Sequence, residues 1–186
     1  MISLALLVGL CGCRSSQPNE VATRAVPQSS PSPMTPSFKA VIENVSLYPV
    51  PNNREDLAVS LVVSMNNSGE ASTAKSWTLE IDSQDPSVPS GLTPVHVNGV
   101  VELPGTAARK VDLGKEDLAL KTSESSVSKN ARVDGVLTFV LPKTVENELA
   151  NNNTSFVLHF KDSAGNAYQT EKAVLRGKRS SAQSSK

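Results

Sequence analysis

The sequence is poor in the residues that most often carry chemistry. Of 186 residues, two are cysteines, at positions 11 and 13, and two are histidines, His96 and His159. Two cysteines this close exclude a disulfide-stapled scaffold and a cysteine-based zinc cluster. Aromatic residues make up only 4%, so any core must be mainly aliphatic. No apolar run reaches the ~20 residues that a membrane-crossing helix needs, which excludes a multi-span membrane protein. Neither sign of charge dominates, with 18 basic and 18 acidic side chains. No serine sits in a Gly-x-Ser-x-Gly elbow and no glycine-rich phosphate loop is visible.

The zero net charge is unevenly spread. Residues 38–175 carry 12 Lys/Arg and 17 Asp/Glu, whereas residues 176–186 carry four basic side chains and no acid. An acidic body argues against nucleic-acid binding, which needs a basic surface to meet phosphates. The terminal stretch Arg176-Gly177-Lys178-Arg179 is a short basic patch followed by serines, read as a disordered basic tail over 177–186.

Residues 2–10 (ISLALLVGL) form an apolar run of signal-peptide length, too short to span a bilayer. It ends in Leu10-Cys11-Gly12-Cys13. This resembles the lipobox of bacterial lipoproteins, with Leu10 three positions and Gly12 one position before the modified Cys13. The resemblance implies cleavage after residue 12, a diacylglyceryl (palmitate-type) thioether on Cys13 and stable membrane anchoring by several acyl chains. The other reading is an uncleaved apolar N-terminus with two chance cysteines. Arg14 follows Cys13 with no aspartate beside it, which in a double-membraned cell implies the outer membrane. Residues 13–37 then form a lipid-anchored linker rich in Ser, Pro, Thr and Gln, expected to be a disordered, extended spacer.

From Phe38 the apolar period becomes two. Leu57, Val59, Leu61, Val63 and Met65 share one face of a strand that ends at the turn Asn66-Asn67-Ser68-Gly69. Trp77, Leu79 and Ile81 alternate likewise, as do Val133, Gly135, Leu137, Phe139 and Leu141 before Pro142, and Phe156, Leu158 and Phe160. A hairpin turn is expected at 162–166, with 167–175 returning as one strand. Glu43 and Asn44 break the alternation of the first strand, which predicts a bulge. Between these, 94–102, 109–113 and 118–121 read as short strands, and 144–150 as two turns of helix. The outward Val62, Val136 and Val140 suggest either an exposed apolar patch or strands covered on both faces. Seven to nine short strands in residues 38–176 predict an all-β antiparallel sandwich, with a closed barrel as the alternative.

The order LAVSLVVSMNNSGE, SWTLEI, RVDGVLTFVLP, FVLHFKDSAGNAY resembles bacterial extracytoplasmic immunoglobulin-like domains of the telokin-like group. Gly135, Leu137, Phe139 and Pro142 occupy that group's packing positions. The resemblance covers 38–174 and implies an immunoglobulin-like fold, with Trp77 packed without a disulfide. Being built on packing residues, it implies no activity.

Few residues are candidates for chemistry. His159 alternates with core positions and should face outward, and neither histidine has an acid at ligand spacing. An enzyme would need a cleft that brings His96 or His159 to a carboxylate. Asp82/Asp85 and Asp162/Asn166 have the residue types of a Ca²⁺ loop, but also those of ordinary turns. The expectation is a non-catalytic, lipid-anchored envelope protein without cofactor or metal, displaying a binding domain whose ligand no residue identifies. A protein or cell-wall partner is expected, with the loops 82–94 and 114–130 as the places to look. The alternatives are an assembly subunit of an envelope complex and a hydrolase on a sandwich scaffold.

Overall fold

The computed structural model describes residues 35–50, 53–103, 109–150 and 154–175. Cys13, the residue expected to carry lipid, lies outside them, as do the signal segment, nearly all of the linker and the basic tail. The element order is β1 (Phe38–Val50), β2 (Asn53–Asn67), β3 (Ala74–Asp82), β4 (Val100–Leu103), β5 (Arg109–Asp112), α1 (Leu118–Glu124) and β6 (Arg132–Pro142). A 3₁₀ turn (Lys143–Val145) then runs into α2 (Glu146–Leu149), followed by β7 (Ser155–Asp162), β8 (Ala167–Gln169) and β9 (Ala173–Val174).

The protein is an all-β antiparallel sandwich. One sheet has the order β1-β2-β6; the other has β3-β7-β8, with β9 also pairing β7. This is the grouping of strands A, B, E and C, F, G in the immunoglobulin plan. The period-two apolar faces of both sheets meet in one core. Leu57, Leu61, Leu79, Leu137, Phe139, Phe156, Leu158 and Phe160 are all within 1% of full burial. Each such side chain contributes roughly 1.5–3 kcal/mol of transfer free energy. Four of the seven aromatics gather together: Trp77 stacks on Phe160 at 4.3 Å and Phe160 on Tyr168 at 5.2 Å, while Phe38 meets Tyr168 edge-on at 5.5 Å.

Polar residues fasten this region. Asn67, fully buried, donates to Glu70 O (2.7 Å) and Val127 O (2.9 Å), and its Oδ1 accepts from the Gly69 and Ser37 amides. It thereby joins three segments that a turn asparagine alone would not. Asp162 is also fully buried, and its carboxylate accepts from Asn166 N (2.9 Å) and Asn166 Nδ2 (2.7 Å). The Tyr168 hydroxyl lies 3.0 Å from both Asp162 Oδ2 and Pro36 O, so the last hairpin grips the chain where it enters the domain. Burial pushes the Asp162 pKa up, but the bonds from Asn166 and Tyr168 outweigh it and hold it below the usual 3.8. Burial, and then Asp162, push Tyr168 up to about 12.

Several expectations need correction or completion. The predicted bulge is present: the β1–β2 register shifts between Ile42 and Asn44. Residues 118–121 are not a strand; they begin α1, because Asp117 caps it by accepting from Leu120 N at 3.1 Å. The segment 94–102 is strand only from Val100, and 167–175 breaks into β8 and β9. The outward valines are not one exposed patch. The β4–β5 hairpin folds over the outer face of the first sheet, where Leu103, Val111, Leu113 and Val136 form a second small core with Val62 and Val101 packed on it. A buried hydroxyl row runs beneath: Tyr48 Oη to Ser60 Oγ (2.6 Å) to Thr138 Oγ1 (2.8 Å).

Candidate functional site

The two flanks of the sandwich are finished differently. On the flank of β6 and β3, the chain satisfies its own sheet edges. Leu79 and Leu92 exchange both backbone hydrogen bonds (2.8 and 3.0 Å), Val95 N donates to Thr138 O (2.8 Å), and Val136 N donates to Glu116 O (2.7 Å). Helix α1 closes the gap between these strands. Its Leu118 is fully buried, and its Thr122 hydroxyl lies 2.8 Å from both Ala74 O and Leu118 O while accepting from the Trp77 indole N–H at 3.3 Å. Gly135 permits this seal. A Cβ there would lie 2.7 Å from Glu116 O and 2.9 Å from Leu118 Cβ, so only glycine lets α1 approach β6 so closely.

Among the described residues the opposite flank is open: β1 pairs only with β2, and β8 and β9 only with β7. Between these edges runs a groove of about 350 Å³, lined by 39–45 of β1 on one side and by residues such as Gln169, Glu171 and Val174 on the other. Val41 and Val174 stand 42% and 51% exposed along it. Edge strands with free N–H and C=O groups template further strand pairing. The loops 82–94 and 114–130 take part in closure: 114–130 contains the sealing helix, and 82–94 is tied down by Val88, which is buried, and by Ser90 Oγ accepting from Ile81 N at 2.9 Å.

Both histidines do meet carboxylates, through partners distant in sequence that spacing alone could not show. His96 Nδ1 lies 2.9 Å from Asp117 Oδ2, and His159 Nε2 lies 2.8 Å from Glu80 Oε2. The hydrogen bond to Asp117 raises the His96 pKa above its usual 6.5 against a smaller opposing effect of burial. His159 faces outward as its alternation predicts, in a shallow surface depression with Glu80, Thr170 and Lys172. Among the described residues no hydroxyl is hydrogen-bonded to either imidazole, and the nearby Thr170 Oγ1 accepts from Leu158 N. His96 ties its loop to the residue that caps α1, and His159 ties β7 to β3. A triad needs a nucleophile in hydrogen-bond reach of the base.

The acidic turn residues are tied in the same way. Asp82 is bonded to Lys172 at 2.6 Å, which holds its carboxyl below the usual range, and Asp85 Oδ1 accepts from Ser87 N at 2.8 Å. No group of three metal-ligating side chains gathers among the described residues, and none of their helices is long and apolar enough to cross a membrane.

Compared with known proteins, the chain matches no family model, no curated protein and no solved structure. The functional reading therefore rests on the molecule itself.

Proposed function

We propose that this chain is a non-catalytic, extracytoplasmic lipoprotein, anchored through Cys13, that carries its β-sandwich on a Ser/Pro-rich tether and binds an envelope partner through the open flank. The observation that carries the binding part is the asymmetry of the flanks. The protein seals β3 and β6 with a helix and three backbone bridges, yet leaves β1, β8 and β9 around a groove. Strand addition at such an edge gives affinity through main-chain hydrogen bonds. The anchoring part is supported by the Leu10-Cys11-Gly12-Cys13 pattern and by the composition of the segment that follows.

Each part has its own test. A photo-crosslinking residue placed at Val41 or Val174 in the full chain, in its native envelope, should give discrete adducts, while one at Leu120 on the sealed flank should not. Equal adducts at all three positions would remove the flank from consideration. Labelled fatty acid should enter the wild type and not Cys13→Ala; label in that variant would refute the anchor.

A further inference from the structure

Strand β1 is not uniformly open along its edge. From Glu43 onward it carries two devices that discourage pairing. One is the bulge between Ile42 and Asn44, and the other is Pro49, which has no N–H to donate. The unguarded part is the stretch 38–42, which ends at the bulge residue Glu43. Lys39, Val41 and Glu43 all lie on the exposed face, and Phe38 and Ala40 are buried. Neither Lys39 nor Glu43 has an ion pair with a described residue. Charges on an edge normally repel an incoming strand. Here they are of opposite sign and sit symmetrically, two positions either side of Val41.

We infer that this edge is built to pair with β1 of a second copy of the chain, antiparallel and centred on Val41. The inference rests on the open-flank reading above and names its partner. In that register Val41 lies opposite Val41 of the other copy, and Lys39 lies opposite Glu43 at both ends. Two equivalent ion pairs thus flank one apolar contact, as an isologous two-fold interface requires. A parallel register sets Lys39 against Lys39 and Glu43 against Glu43, so the charges also select the direction. A register slipped by one residue brings buried-face residues opposite exposed ones and loses both ion pairs. The result joins two three-stranded sheets into one of six strands. With anchored chains confined to a membrane, even a weak edge contact gains from high local concentration.

The test uses the full chain in its membrane and after detergent extraction. Directly opposed residues of an antiparallel pair have Cα atoms about 4.5–5.5 Å apart, within disulfide reach. Val41→Cys should therefore give an oxidant-dependent dimer that the unmodified anchored chain, with Cys11 cleaved away and Cys13 acylated, does not give, and Leu120→Cys should not. In the Val41→Cys background, Lys39→Glu sets like charges together at both ends and should lower the dimer yield about five-fold. The swap Lys39→Glu/Glu43→Lys should restore it. These exposed substitutions leave the core untouched, and circular dichroism checks that the fold is retained. A dimer yield unchanged by Lys39→Glu, or not restored by the swap, overturns the self-pairing. Adducts at Val41 that contain a different protein overturn it while leaving the flank reading intact; absence of any adduct at Val41 and Val174 removes both.

Discussion

Replacing Thr122 by valine tests how the sealed flank is held. The hydroxyl is fully buried, lies 2.8 Å from Ala74 O, and is the acceptor for the indole N–H of Trp77, itself only 3% exposed. Valine nearly preserves the volume, so the cavity contribution is small. What remains is polar: one net hydrogen bond of about 1 kcal/mol, plus the desolvation penalty of an indole N–H left without a partner, about 1–3 kcal/mol. The 3.3 Å indole contact is long, which places the total near 2 kcal/mol, or roughly 6 °C in melting temperature for a domain of this size. Trp77 is the only tryptophan, so its fluorescence follows urea unfolding directly. The sharper experiment is a double-mutant cycle with Trp77→Phe, which removes the N–H and is read by circular dichroism. In that background Thr122→Val should cost about 1 kcal/mol less. If Thr122→Val costs under 0.5 kcal/mol, or costs the same in both backgrounds, the hydroxyl does not satisfy the indole and the account of the seal is wrong.

Three further substitutions have defined outcomes. Gly135→Ala drives a methyl group against Glu116 O and Leu118; because the nearest neighbour is backbone, the cost should be about 1–3 kcal/mol, with amide exchange rising first in α1. Gly91→Ala meets nothing within 4 Å but sits at φ +72°, and should cost about 1 kcal/mol through backbone strain alone, without that local loosening. His96, whose pKa is raised by Asp117, contributes stability that is fully present below pH 6.5 and is lost as pH rises through its folded-state value. Stability measured from pH 6 to 8 should fall over that window in the wild type and flatten in His96→Gln; an unchanged slope would show that the pair is not formed in solution.

The fold was largely legible because its long strands alternate cleanly. The inward sets of β2, β3, β6 and β7 could be read from Leu57, Trp77, Leu137 and Phe156 onward, since period two and burial on one face leave little freedom. The bulge at Glu43 was legible for the same reason, as a break in phase. Illegible features depend on what comes to lie on top. Residues 118–121 alternate well enough for a strand, and only the Asp117 cap and the burial of Leu118 and Thr122 against β3 and β6 turn them into a helix. The carboxylate partners of His96 and His159 lie 21 and 79 positions away, and no local pattern announces pairs set by strand order.

The outward valines show how a pattern can be ambiguous for a physical reason. Val62 and Val136 sit opposite each other on β2 and β6, and apolar residues there mean either a free patch or a second layer. The β4–β5 hairpin supplies that layer, and its cost is visible: Ser60 and Thr138 are buried beneath it and must bond to each other and to Tyr48. Closing this face and the β3/β6 flank has used helix α1, one hairpin and the bridging residues Leu92, Val95 and Glu116. Nothing comparable among the described residues was spent on β1. Its only defences are a bulge and one proline. A chain that covers this face and one flank so thoroughly has the means to cover the other, and that contrast is the ground on which the open edge is proposed as a binding surface.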